Sequence, residues 1–400
     1  MGAERWTDER LDLLRAEGDP PGDEVVARFF AERSSLAPRE CLGLLVRHGD
    51  VPEDERSPAL AAYLDDEPPL PSWVDAAQIK RGEDVFCQWG PLVGASLFCA
   101  ALPEAYAGAK GVQVLHLTAR LATDPRRRIY ETAQMLIDAM APGGLQVGAR
   151  GYREARRVRL MHAAVRHLIE HDPAVAKTCD PSVTGPHWCH AWGVPVNQED
   201  LLGTLMTFTV VVFDGLRRLG VPLSDDDAGS YLHAWSVVGH LIGIGEDLLP
   251  LDLADAEEAW AAIRKRQTAH SPEGVEMTAA LVGLLQQQMP PGLHHLPPTL
   301  IRYLVGDEVA DLLAVAPPSR IEDVGLSALR RATALVGRDA EHDRVVRRLG
   351  ERLGRLMLEA FLVAERGGRR AAFTLPDELA DRWGVARPGP DAAPTQEEEP

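Results

Sequence analysis

The sequence predicts an all-α fold, a single large helical bundle, and three observations carry that prediction. No segment alternates apolar and polar residues with period two over a useful length, so strands leave no signal. Stretches of helical periodicity recur along the chain, separated by Gly and Pro, the residues that stop helices. Two of the longest open on a cap signature, Asn197 followed by Asp200 and Ser224 followed by Asp227. In each, a side-chain oxygen can satisfy the free N–H groups of a first turn, with an acid three residues on to return the bond.

Taken in order, residues 1–70 hold short helical patterns, Asp8 to Ala16 and Asp23 to Glu32 among them, and read as an N-terminal helical layer. The rigid segment Pro68 to Val74 leads into a core over 71–290. There Ala76 to Phe86 is the first strong helix, Pro91 to Ala101 an apolar helix with small residues, and Val112 to Ala122 a short one. Asp124 as N-cap and Pro125 at the first helical position open a helix that Pro142 and two glycines stop near Met140. The next helix runs from about Ala149 to His171. His171 to Pro195, rich in Pro, Gly, Trp and His, reads as an ordered connection. Asn197 then caps a helix to about Leu219, ended by Gly220, and Ser224 caps Asp225 to Ile244. Further helical patterns lie at Ala254 to Thr268, Val275 to Gln288, Pro298 to Val305, Gly325 to Val336 and Asp343 to Glu365, the last ones forming C-terminal helices within 291–387. Residues 388–400, rich in Pro, Ala and Glu, read as a disordered tail.

Composition narrows the partners. Forty-two basic residues against 60 acidic ones give a formal charge of -18, which argues against nucleic acid or an anionic membrane as the main partner. No export signal is visible at the start. The longest apolar run, Leu201 to Phe213, is interrupted by Thr204, Thr207 and Thr209 and is too short for a membrane span. Five cysteines without regular spacing are expected to be reduced thiols, in keeping with a cytoplasmic protein.

The chemistry centres on Arg156 to Arg166, RRVRLMHAAVR. On a helix His162 shares a face with Arg159 and Arg166, one turn to either side. Burying two guanidiniums without anions costs several kcal/mol each, so something acidic must meet them. An imidazole beside two cations suits a haem, with iron on the histidine and propionates on the arginines; a surface arginine pair around a core histidine is the plainer alternative. The preceding helix places Arg128, Glu131 and Thr132 together, and helix rise puts Thr132 and His162 at similar depth from the turn joining the two helices, roughly 14 and 20 Å. That patch can face the histidine across a flat cofactor, or it can be a solvated first turn with Glu131 paired to Arg128. His187, Cys189 and His190, with Cys179 before them, fit no zinc spacing, and His233 and His240 read as core or pocket-lining residues.

RVRLMHAAVR, preceded by Arg128, Thr132 and the PGG stop, and followed by WGVPVNQEDLLGT (Trp192 to Thr204) and WSVVGHLIGIGEDLLP (Trp235 to Pro250), resembles the rubber-oxygenase family of latex-clearing and MpaB-type proteins. The resemblance covers roughly residues 70–290. It implies an all-helical fold enclosing one haem b, His162 as the proximal iron ligand, and Arg159 and Arg166 supporting the haem, with Thr204 also at the cofactor. It also implies that Arg128 and Thr132 lie in or near the distal pocket, where O2 binds opposite the histidine.

One departure matters. Rubber-cleaving members carry lysine immediately before that threonine and a separate distal glutamate. Here Glu131 stands before Thr132, and the region around Val112 offers no glutamate. The expectation is therefore a haem b-dependent oxygenase acting on a small apolar molecule, isoprenoid or polyketide-like, rather than on rubber. Glu131 would serve as its base. The alternatives are haem-dependent oxidation without oxygen insertion, as by an oxidase, peroxidase or dehydrogenase, and a non-enzymatic haem- or ligand-binding protein.

Overall fold

The computed structural model describes residues 5–34, 36, 41, 45, 57–121, 125–180, 182–183, 186–287, 289 and 294–317, with the side chains of 119–131 left aside. The expected helices at Gly325 to Val336 and Asp343 to Glu365, the tail from 388, and the Asp124 cap lie outside the described residues.

The fold is all-α, as expected. Short α1 (Asp8–Arg15), α2 (Pro20–Glu32) and α3 (Pro58–Leu64) form an outer layer. The centre is α4 (Ala76–Ser96), which passes through a π-helical segment (Leu97–Ala101) into α5 (Leu102–Ala107) without a break. Two helices were expected here, separated before Pro91. The chain instead keeps one helical path of 32 residues, and 83% of its most apolar window is buried inside the protein. A proline inside a helix costs about 3 kcal/mol locally. Burial on all sides, from Leu92 through Ala101, outweighs it. By length and composition this path could cross a membrane, but its partners are other helices.

After α6 (Val112–Leu121) come α7 (Pro125–Met140) and α8 (Arg150–His171), an antiparallel pair. The pair meets most closely at its turn, where a Cβ on Gly151 would lie 2.4 Å from both Ala139 Cα and the Asp138 carbonyl. Only glycine fits there. The turn itself uses positive φ at Gly143 and Gly148.

Two residues each in β1 (Ala176–Lys177) and β2 (His187–Trp188) form a small parallel bridge within the ordered connection. The chain past it bonds Cys179 to Cys189, with Cα atoms 4.5 Å apart. This corrects the expectation of five reduced thiols. The strand pairing folds the connection back on itself and brings the two cysteines together, while Cys41, Cys87 and Cys99 are buried and lie outside that disulfide.

The helix expected from Asn197 to Leu219 is two helices, α9 (Gln198–Phe208) and α10 (Val210–Arg218), broken at Thr209, whose φ of -119° and ψ of -82° leave the helical region. Both cap signatures form as read. Asn197 Oδ1 accepts from the Asp200 N–H at 2.9 Å, and Ser224 Oγ accepts from the Asp227 N–H at 3.1 Å.

The helix opened by Ser224, α11 (Asp225–Leu241), lies antiparallel along α4. Asp227 pairs with Arg81 at 2.9 Å, Gly82 is pressed against Ser230, Tyr231 and Ala234, and His233 Nε2 accepts from the Asp75 N–H. The remaining α12 (Leu253–Gln267), α13 (Pro272–Gln287), α14 (Leu296–Val305) and α15 (Asp307–Leu312) close the core around α5 and α9.

Candidate functional site: the His162 helix

α8 is helical across the whole arginine-rich stretch, and its inner faces carry Tyr152, Ala155, Leu160, Ala163, Ala164 and Ile169, all buried. Three arginines go inside with them. Arg156 donates to the carbonyls of Tyr63 and Asp66 and lies 4.5 Å over the Tyr63 ring. Arg159 and Arg166 flank His162, which is half-buried.

The acid that the flanking pair requires comes from α2. Arg159 donates through Nε and Nη2 to the two oxygens of Asp19, each at 2.6 Å. Arg166 donates through Nη1 to Asp23 Oδ1 at 2.6 Å and through Nη2 to the Val196 carbonyl at 2.9 Å. Val196 holds an unusual φ of 53° for a β-branched residue, which turns the end of the connection onto Arg166.

Local sequence explains why Asp19 is available. It occupies the N-cap of α2, where a carboxylate ordinarily accepts from the N–H of the second or third helical residue. Here Pro20 and Pro21 fill the first two positions and have no N–H. No side-chain cap bond forms at Asp19, and the carboxylate turns to Arg159 instead. It sits in a niche too tight for side chains: Cβ atoms on Gly22 and Gly243 would lie 2.4 and 2.6 Å from its Oδ2.

Burial pushes Asp23 above the ordinary carboxylate range, and the Asp19 charge adds to that against the pull of Arg166. For Arg159, burial is the largest single influence and opposes its charge. The bonds and charge of Asp19, with Tyr63, more than offset it and leave the guanidinium more firmly protonated.

The motifs after the connection act as joinery for this arrangement. Buried Gln198 donates to the carbonyls of Gly18 and Gly243, at 2.8 and 2.9 Å, and accepts from the Gly245 N–H, so it ties the α2 entry to the end of α11. Glu199, fully buried, receives Arg15 at 3.1 Å, Gln267 at 3.0 Å and Arg266 at 2.9 Å. His240 and His233 line the neighbouring wall, edge-on to Trp73. Burial lowers the pKa of both, assisted at His240 by the charge of Arg159.

The turn between α7 and α8 meets α4. Glu83, Cys87, Gly90 and Gly94 share one face of that helix, and Glu83 accepts from the Gly143 N–H in the α7–α8 turn at 3.0 Å. This face therefore looks toward the pair. Eleven residues beyond Glu83, about 16 Å along the axis, a Cβ on buried Gly94 would meet no atom of the described residues within 4 Å. Counted from the Gly151–Ala139 contact, His162 stands about 16 Å up α8, level with position 128 of α7 and roughly one turn beyond Thr132. The imidazole and the first half of α7 thus share one level, whereas Gly94 lies toward the far end of α4: His233 of α11 meets Asp75 at the start of α4, and His240, further along α11, stands beside Arg159.

Of the residues expected at the site, Arg159, His162 and Arg166 lie together on α8. Arg128 and Glu131 are on α7, and their side chains lie outside the described residues. Thr132 is exposed. Thr204 is exposed on α9 with its hydroxyl donated to the Asp200 carbonyl at 2.7 Å. Sequence reading missed Asp19 and Asp23; the signal that marks Asp19 is an aspartate at a helix start followed by two prolines, and Asp23 lies one turn further on.

Comparison with known proteins follows the same lines. Residues 80–350 match the family described as "ER-bound oxygenase mpaB/B'/Rubber oxygenase, catalytic domain". The chain is 27% identical over 334 residues to a rubber oxygenase of Streptomyces sp. (strain K30), covering 79% of this chain and 72% of that protein. A solved structure of the latex clearing protein LCP in its closed state superimposes with a TM-score of 0.64 at 24% identity, covering 91% of this chain and 95% of the other.

Proposed function

Because the chain belongs to the MpaB and rubber oxygenase catalytic-domain family, we propose that it is a haem b-dependent oxygenase acting on a small apolar molecule, isoprenoid or polyketide-like, with His162 as the axial ligand of the iron. The observation that carries this reading is the half-buried imidazole held between two arginines whose charges Asp19 and Asp23 neutralise. A haem iron needs a nitrogen ligand presented at a fixed height, and His162 is placed to be one.

What haem b contributes when bound is an iron centre for O2 chemistry. The protein residues do the rest. Arg159 and Arg166 brace α8 through Asp19 and Asp23, so that the imidazole is presented at a fixed height. Arg128, level with His162 on the facing helix, is the donor that orients O2, and Thr132, a turn away, shapes that patch with it. Glu131 would serve as the base that takes a proton from the substrate and returns it. The apolar walls of the core select an apolar substrate and exclude water.

The test is the visible spectrum of protein made with ample haem, oxidised and reduced, beside a pyridine haemochrome assay. Near-stoichiometric haem b, lost in His162→Ala, is the expected result. Intact haem binding in His162→Ala would overturn the ligand assignment. With haem in place, Glu131→Gln is expected to lower turnover on the order of a hundredfold. Incorporation of label from 18-O2 into the product separates oxygenation from oxidation without oxygen insertion.

A further inference from the structure

We propose that Asp19 and Asp23, on a helix outside the matched catalytic region, are positioning residues for His162: they cancel the two positive charges beside the imidazole and so set the potential and the retention of the group it holds. The proposal rests on the reading of His162 as the haem ligand.

The geometry is specific to these two acids. Arg159 and Arg166 stand three residues before and four residues after His162, so both guanidiniums leave α8 on its face, within one turn. Uncompensated, they would place two units of positive charge against the imidazole in a partly desolvated setting, where charge interactions are several-fold stronger than in water. Asp19 is buried at 4% exposure and meets Arg159 through two parallel bonds; Arg166 is buried at 3% and meets Asp23 through one. The four charges sum to zero. Among the described residues, the other ionisable groups facing this corner include Tyr63 and His240 with Glu246 beside Arg159, and Glu170 beside Arg166 and Asp23.

Asp19 gives up its role as a helix cap to make its contact, and Gly22 and Gly243 leave just enough room for the carboxylate. Packing alone would be met by an asparagine of the same shape. The charge would not. A cation pair left beside the iron ligand disfavours the more positive oxidised iron, so removing either acid raises the reduction potential and weakens retention of ferric haem.

The experiment compares Asp19→Asn, Asp23→Asn, the double variant and the conservative Asp23→Glu, each loaded with haem b. Circular dichroism reports the fold, spectroelectrochemistry the potential, and transfer of haem to excess apomyoglobin its retention. The expected result is an upward shift in potential in each Asn variant, larger in the double variant, with several-fold faster loss of ferric haem and recovery in Asp23→Glu. A paired variant, Arg159→Gln with Asp19→Asn, removes one charge of each sign and is expected to return the potential toward the parent. Folded Asn variants with the parent's potential and haem retention overturn the proposal. So does an equal effect in the paired variant, which would make the contact purely structural. Should Asp19→Asn not fold, Asp23→Asn and its Glu counterpart decide alone, since Asp23 is partly exposed. Failure of the haem reading looks different: the parent then binds no haem, and the charge role falls with it.

Discussion

Single glycines carry much of the positional information around the site. Gly151 touches the backbone of the facing helix, so Gly151→Ala forces α7 and α8 apart at their turn. A loss of about 1–3 kcal/mol is expected in denaturant unfolding, as for other overpacked sites. The arginines flanking His162 teach a related lesson about legibility. That something acidic must meet them followed from desolvation cost alone, but its identity did not, because Asp19 and Asp23 lie 140 and 143 residues away in the chain. Spacing within one helix reports its own face and nothing of what docks on it.

Helix starts were legible for the converse reason: a cap is a bond between residues three apart. Asn197 with Asp200 and Ser224 with Asp227 formed as read. The break at Thr209 was invisible, since its immediate neighbours, Phe208 and Val210, are both apolar. The Cys179–Cys189 bond was hidden by the irregular spacing of the cysteines and became apparent only when β1 and β2 paired. A cross-link closing so short a loop is worth roughly 2–3 kcal/mol. Cys179→Ser with Cys189→Ser is therefore expected to lower stability by that amount, and mass spectrometry before and after reduction checks the bond itself. The connection carries Val196 onto Arg166, so loosening it should also disturb α8, seen as faster hydrogen exchange around His162.

At the scale of the whole molecule, the buried acids make stability depend on pH in an uncommon direction. Burial is the leading cause that raises Glu83, Glu104, Asp138 and Glu199 above the usual carboxylate range. A group with a raised pKa in the folded state binds its proton more readily there than in the unfolded chain, so its contribution is present below the unfolded value and lost as pH rises through the folded one. Between neutrality and the ordinary carboxylate range, these four should make the protein more stable as pH falls. Thermal unfolding at a series of pH values is expected to place the maximum on the acid side of neutral, and Glu199→Gln to flatten that slope.

The helical path from Ala76 to Ala107 has a further bearing on how the protein is made. The strip of α11 that covers it lies well over a hundred residues downstream, so during synthesis a segment apolar enough for a bilayer is complete long before its partner exists. In that interval the growing chain resembles a membrane protein to whatever reads hydrophobicity at the ribosome. Yield should then depend on how fast α11 follows and on the supply of chaperones that shield apolar helices. A chain truncated before Asp225 should be found with membranes or in aggregates, although the finished protein keeps that same helix out of sight.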